Sequence, residues 1–301
     1  MATTVSIDNV PERIGAPDLR TKRSWRQAKS HLMVGLMVLS FVLVLIPLVA
    51  VLATVIKRGG KVISVDFLTK DIPVRSRLPG PGMGPAVVGT LLTTFVASAL
   101  AVPLGILGAV YLNEYGRTDR LARAVRFMAN VMAGVPSIVM GLFVFVIFTL
   151  RFGFSTFGAS LALAFLMLPI VIRATEEMLR LVPNHLREAS MALGASKSRT
   201  IITVVLPSAL SGIVSGSLLA IARAAGETAP VYFTIGFAKT LNVNIFSGEN
   251  TTLAAQIFDN ARQPFPGAND RAWGAALTLV VIAFVFTLVA RLFTARLTRK
   301  R

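Results

Sequence analysis

Residues 181–207 read LVPNHLREASMALGASKSRTIITVVLP. Proline at 183 suits the first turn of a helix, and Leu186, Ala189 and Leu193 then fall on one face with Arg187 and Glu188 beside it. Gly194 fits a left-handed helix C-cap, and Ser196 is placed to cap a second helix. The stretch therefore predicts a short helix, a sharp glycine turn and a second helix leading into an apolar run. By itself, an amphipathic helix of this kind reads either as an interfacial anchor or as a docking site.

Outward from this stretch the chain is strongly apolar. Its 301 residues are 54% hydrophobic and only 15% charged, with a mean hydropathy of +0.70. Soluble domains run nearer a quarter charged, so the composition is that of an integral membrane protein. A helix crosses the hydrocarbon with about 20 apolar residues. Five segments supply them, roughly 32–56, 86–111, 128–150, 158–178 and 273–295, and a sixth runs from about 206 to 237. The sixth is too long for one straight crossing and holds Gly226 and Pro230. A proline lacks the N–H and clashes with the carbonyl four residues back, so a kink is expected there. Broken helices survive in a bilayer only where protein or a watery cavity satisfies the freed backbone, which marks this segment as one that lines a pathway. The GxxxG of Gly212 and Gly216 marks close helix packing. No repeat of fixed period is evident.

The formal net charge is +17, from 31 Lys and Arg against 14 Asp and Glu. In a membrane protein such an excess belongs to cytoplasmic loops rather than to nucleic-acid binding. With the N-terminus inside, the inner segments hold 19 Lys and Arg and the outer ones 10, so both termini are expected in the cytoplasm. Residues 1–31 read as a basic cytoplasmic tail, because the first apolar run starts too late and runs too long for a cleaved signal peptide. One loop runs against the count: Lys57, Arg58, Lys61, Lys70, Arg75 and Arg77 crowd the first outer connection. It is either a solvated loop outvoted by the rest or a basic vestibule that concentrates an anion. There is no cysteine, which excludes disulfides, thiol catalysis and cysteine-held metals, and His31 and His185 are too few for a histidine-rich metal site. A membrane-embedded enzyme would want paired histidines or aspartates, or a Ser–His arrangement, inside the spans, and none is present.

The spacing Glu188-Ala189-Ser190, three residues, Gly194, nine residues, Val204-x-Leu206-Pro207 resembles the EAA loop of ABC-importer permeases, whose pattern is EAA, three residues, Gly, nine residues, Ile-x-Leu-Pro. Ser190 and Val204 are mild departures. With RATEEMLRL before it and RAAGETAP downstream, the chain is similar, from about residue 32 onward, to the PstA-type permeases of the phosphate-specific importer. The resemblance implies an all-α type I ABC-importer permease fold of six transmembrane helices over 32–301, with a cytoplasmic coupling helix in the segment 183–207. It implies a bacterial cytoplasmic membrane and an import of phosphate. The implied partners are a second homologous permease, two copies of an ATPase subunit and an extracytoplasmic phosphate-binding protein. Glu188, Ala189, Gly194, Leu206 and Pro207 would engage the ATPase. There is no GxxxxGK[ST] loop, so no cofactor is expected here, ATP and magnesium belonging to the ATPase. An ABC permease for sulfate or molybdate is the nearest alternative. An ion-coupled carrier fits less well, since such carriers show internal repeats and need no partner motif.

Three charges inside the spans carry the chemistry. The family's functional arginines fall on Arg173 and Arg223, and its GET glutamate on Glu227. Arg223 and Glu227, four apart, share a helix face, about 25 Å from a start near Leu206. Such charges cost about 2.5–3.5 kcal/mol each on insertion scales if they face lipid. A guanidinium offers a tetrahedral oxyanion a planar fork that lysine lacks. Glu227 then reads as the internal counter-ion of Arg223, as an acceptor of the hydrogen-phosphate proton, or as half of a buried structural ion pair. For Arg173 the structural alternative is an arginine that snorkels to the inner interface and pairs with Glu176 and Glu177. In the loop 238–272, Thr251 or Thr252 is placed to cap a short helix through Phe258, which either receives a binding protein or packs on its own mouth.

Overall fold

A computed structural model describes residues 25–77, 80, 82–116 and 119–299, and every regular element among them is helical. Residues 1–24 of the expected tail lie outside the described residues. The helix α1 (Trp25–Gly59) begins seven residues earlier than the first span was expected to, so residues 25–31 belong to it and not to the tail. By its contacts the chain divides into two units, Met1–Ala53 and Thr54–Arg301. The described part of the first unit is helix alone, with an apolar surface that carries exposed Leu39, Phe41, Leu43 and Val44.

The second unit holds the other elements: α2 (Val65–Thr69), α3 (Gly84–Val110), α4 (Arg120–Gly134), α5 (Ser137–Val144), α6 (Leu150–Phe152), α7 (Thr156–Arg180), α8 (Asn184–Ala192), α9 (Lys197–Thr200), α10 (Leu206–Ala225), α11 (Ala229–Thr234), α12 (Leu253–Ala261) and α13 (Pro266–Arg299). Single widened π-turns extend α3 through Tyr111–Tyr115, join α5 to α6 through Phe145–Thr149, and join α9 to α10 through Ile201–Val205. The last of these ends two residues before Pro207, which has no N–H to return to the carbonyl four residues back, that of Thr203.

Among the described residues, five helical stretches are long and apolar enough to cross a membrane: Gln27–Gly59, Gly84–Tyr115, Thr156–Arg180, Lys197–Ala225 and Pro266–Val289. The third expected span, 128–150, is not one straight helix. It is replaced by α4 and the α5–α6 segment, bent by 108° at Val135 and Pro136. The residue before a proline is pushed out of the helical region, and both Val135 (ψ 130°) and Pro136 (ψ 137°) are extended. Hydropathy ran straight across this break, because the apolar residues of α4 and α5 are contiguous in sequence. The kink expected in the 206–237 segment falls where proline placed it: α10 ends at Ala225, and Pro230 enters the first turn of α11.

Between apolar helices in lipid there is no hydrophobic driving force, so close packing must supply the contact. Along α3, Gly89, Thr93, Ala97, Ala101, Gly105 and Ala109 recur every fourth residue and all are buried. Along α7, Ala159, Leu163, Met167, Val171, Thr175 and Leu179 do the same. Small residues on one ridge meet larger ones on the other: a Cβ on Gly105 would lie 2.6 Å from Cγ1 of Val171. The glycines of the GxxxG motif pack as expected, Gly212 against Met178 and Gly216 against Ala174.

The loop before α12 packs on its own helices. Thr252 caps α12 by accepting from the Ala255 N–H at 3.3 Å, and the Leu253 N–H donates to Oγ1 of Thr90 at 2.8 Å. Asn250 Nδ2 donates to Oγ1 of Thr156 at 2.9 Å, while the Thr251 carbonyl sits where a side chain on Gly89 would be. In the connection between α1 and α3, Lys70 is paired with Asp66 at 2.7 Å, Arg58 lies over the Trp273 ring at 5.2 Å, and Lys239 donates to the Val74 carbonyl.

Candidate functional site

The 181–207 segment folds as its residues require. Pro183 stands at the N-cap of α8 rather than inside its first turn. Gly194 has φ +87°, its N–H donates to the Met191 carbonyl at 2.9 Å, and the Ala195 N–H donates to the Ser190 carbonyl at 3.2 Å. This is the Schellman pattern that glycine favours. Ser196 caps α9 by accepting from the Arg199 N–H at 3.4 Å. Ser190, where the motif has alanine, shares a hydrogen bond of 2.9 Å with the Thr200 hydroxyl and so fastens α8 to α9.

The outward side of α8 carries Leu186, Glu188, Ala189, Met191 and Leu193, all exposed. Its inward residue is a charge. Arg187 is buried, with Nη2 donating to Oε1 of Glu114 and to the Leu179 carbonyl, both at 2.9 Å, and Nη1 to the Val182 carbonyl at 2.6 Å. A groove of about 290 Å³ runs past this pair, bordered by Asn184, Glu188, Met191 and Lys197. Leu206 packs against the apolar cluster beneath, and Pro207 opens α10.

Arg223 and Glu227 meet across the end of α10, with Nε donating to Oε1 at 3.4 Å. Their environments differ: the arginine side chain is 69% exposed and the glutamate 19%. Among the described residues the guanidinium is thus held by one long contact and is otherwise exposed. Arg173 is also exposed, but it does not pair with the following glutamates. It donates to Oδ1 of Asn130 on α4, while Glu176 accepts from Arg126 at 3.0 Å and Arg180 at 2.7 Å. Glu176 lies on the buried face of α7 and Arg173 on the exposed one, three residues and most of a turn apart.

The axial separation of the two arginines follows from packing. Gly212 faces Met178 and Gly216 faces Ala174, so α7 and α10 run antiparallel, four residues forward on one matching four back on the other. Arg223 therefore lies level with Met167, six residues from Arg173, or about 9 Å along the axis. The structure places the arginines on successive levels of one helix pair, without bringing them into contact.

Sequence reasoning missed Glu114 and Arg126. Arg126 Nη2 donates to the Leu112 carbonyl at 2.8 Å, in the same π-turn that carries Glu114. The available signal was a carboxylate and a guanidinium near the ends of apolar runs, where charge without a partner is costly. Close by, the Tyr111 hydroxyl and then the Leu121 N–H, both donating to Asp119, hold its carboxyl below the ordinary value.

Against known proteins, residues 101–301 match the family described as "Binding-protein-dependent transport system inner membrane component". The chain is 43% identical, over all of itself and 99% of the relative, to the phosphate transport system permease protein PstA 1 of Mycobacterium tuberculosis. The chain belongs to the PstA permease family. The PstA of Mycobacterium leprae is 40% identical over 98% of both chains, and that of Haemophilus influenzae 36% identical over 89% of this chain and 95% of its own. Among solved structures, a chain of a bacterial alginate ABC transporter aligns with a TM-score of 0.61 at 16% identity, over 92% of this chain and 99% of its own. The inward-facing MetNI methionine transporter aligns at 0.56 and 19% identity, over 71% and 93%. These likenesses carry the fold, that of a type I ABC-importer permease, and the PstA-family chain is a multi-pass membrane protein.

Proposed function

We propose that this PstA-family chain is one of two permeases forming the route of inorganic phosphate into the cytoplasm, powered by ATP hydrolysis on separate subunits. The observation that carries the reading is the end-to-end identity of 43% with a phosphate transport permease. In it, Arg173 and Arg223 are successive stations for the anion. Each offers a planar fork to a tetrahedral oxyanion, and about 9 Å of axial separation lets one release before the other holds. A transport site must also let go. Glu227, already within 3.4 Å of Nε, supplies the internal counter-ion to which Arg223 returns when phosphate leaves. The half-buried position of the carboxylate beside a mostly exposed guanidinium supports this role over a closed structural pair.

Glu188, Ala189 and Gly194 seat α8 on a dimeric ATPase subunit that holds the ATP and magnesium, and Leu206 and Pro207 pass its movement into α10. An extracytoplasmic phosphate-binding protein delivers the anion from the other side, and both termini of this chain lie in the cytoplasm. The test is uptake of radiolabelled phosphate by the assembled complex in liposomes, with sulfate as competitor. ATP-dependent phosphate uptake that tenfold sulfate leaves intact is expected; uptake of sulfate in preference, or none of either, refutes the reading.

A further inference from the structure

The segment α8 is continuous in the chain with α7 on one side and, through the Gly194 turn, with α9 and α10 on the other. It adjoins α3 in neither direction along the chain, the two being 73 residues apart in sequence at the contact point. Yet the buried residue of α8 reaches there. Arg187 meets Glu114 in the π-turn that ends α3, with side-chain exposures of 11% and 6%. That turn is gripped twice more: Arg126 donates to the Leu112 carbonyl, and the Lys197 ammonium lies over the Tyr115 ring at 4.7 Å. Glu114 also accepts from Nδ2 of its neighbour Asn113 at 2.7 Å, which orients the carboxylate.

A buried ion pair is a poor source of net stability, because desolvation offsets the attraction and apolar residues of like size often serve as well. What it does supply is direction. The guanidinium binds one carboxylate and two main-chain carbonyls, from Leu179 and Val182, in a fixed plane. A displacement of α8 cannot slide past this fork as it could past an apolar contact. Beyond the turn, the small-residue ridge of α3 packs closely on α7, where Gly105 faces Val171 and the Ser160 hydroxyl donates to the Thr93 carbonyl, so a push on the turn moves the helix end as a body.

We propose that Glu114 and Arg187 are positioning residues that carry the displacement of α8 into α3, a second mechanical route beside the covalent one through α9 and α10. The proposal rests on the reading of α8 as the coupling segment. With the pair in place, movement of α8 reaches both helices together; without it, α10 moves while α3 lags.

The experiment uses the assembled complex in liposomes and three variants: Glu114→Gln, Arg187→Met, and the double Glu114→Gln/Arg187→Met. Two quantities are read, the ATP hydrolysed per anion imported and the melting temperature of the complex. Each single variant is expected to melt lower, since it strands a buried polar partner. The double variant regains most of that stability but keeps a hydrolysis-to-uptake ratio raised about tenfold. A pair that merely holds the fold gives the opposite result: the ratio stays at the wild-type value in all three, which overturns the proposal. Because the chain has no cysteine, one introduced at Leu104 on α3 and labelled with a fluorophore reports the helix without reference to the cargo. An ATP-dependent signal in the otherwise wild-type complex that vanishes in the double variant is expected. An equal signal in both overturns the route through α3, whereas a wild-type complex that gives this signal but imports no phosphate overturns only the functional reading.

Discussion

Gly194 gives the sharpest test of how the α8 segment works. Its φ of +87° is one that L-residues avoid, and no atom lies within 4 Å of where its Cβ would be. A side chain there meets only backbone strain. The left-handed conformation costs an L-residue roughly 1–2 kcal/mol, less for asparagine and more for a β-branched side chain. Against it stand two Schellman hydrogen bonds, at 2.9 and 3.2 Å, and the Ser190–Thr200 bond at 2.9 Å. Each contributes about 1 kcal/mol net. For Gly194→Val, strain of about 2–3 kcal/mol thus matches what holds the turn, so the turn deforms while the spans stay folded. A shift of about 2 kcal/mol is roughly thirtyfold in the population of the native turn. The variant should reach the membrane at near wild-type levels and lose most of its phosphate-stimulated ATP hydrolysis in the assembled complex. Gly194→Asn should retain most of it, and Gly194→Ala should fall between. Normal coupling in the valine variant would remove Gly194 from the mechanism; asparagine failing as badly as valine would show that backbone strain is the wrong cause.

Arg223→Lys keeps the charge but loses the fork, so uptake should fall at least tenfold while insertion is unchanged; unaltered uptake would make Arg223 a structural charge. Glu227→Gln removes the counter-ion, worth about 1 kcal/mol for so exposed a pair, so phosphate release should slow several-fold with selectivity over sulfate kept. Loss of selectivity instead would assign Glu227 the proton-accepting role, and wild-type behaviour in both would leave only a structural ion pair. Gly89→Ala places a Cβ 1.8 Å from the Thr251 carbonyl, so the loop before α12 must shift at a cost of about 1–3 kcal/mol. A lower melting temperature of the complex is expected, and an unchanged one would mean the loop is not docked on α3.

What the chain reveals without its fold is what depends on neighbours within one helical turn. The left-handed Gly194, the cap at Ser196 and the break between Ala225 and Pro230 are each settled by a residue's own backbone limits or by a partner three or four positions away, while the choice of Thr252 over Thr251 as the cap of α12 came from the fold. The membrane-crossing runs follow from hydropathy, and the packing at Gly212 and Gly216 from the absence of side chains. The fourfold spacing of small residues along α3 was equally open to inspection. The bend at Pro136 was legible too, had the extended preference of Val135 been weighed against the apolar run that hides it.

The spacing of Arg223 and Glu227 made their pairing legible, but charge pairing between helices was not. Glu176 takes Arg126 from 50 residues away, Arg187 takes Glu114 from 73, and Arg173 leaves its neighbouring glutamates for Asn130, 43 positions back. Local spacing offered Arg173 two carboxylates, but Glu176 is taken by Arg126 and Arg180, and Arg173 donates to Asn130 on the adjoining helix instead. Which charge lies opposite depends on which helices adjoin and in what register, and that register is set by the fit of small residues against large ones between α3, α7 and α10. The sequence alone determined most of the crossings and the breaks at Gly194 and Pro230; the packing of those crossings decided which of its charges are bound to one another and which, as at Arg223, stay mostly exposed.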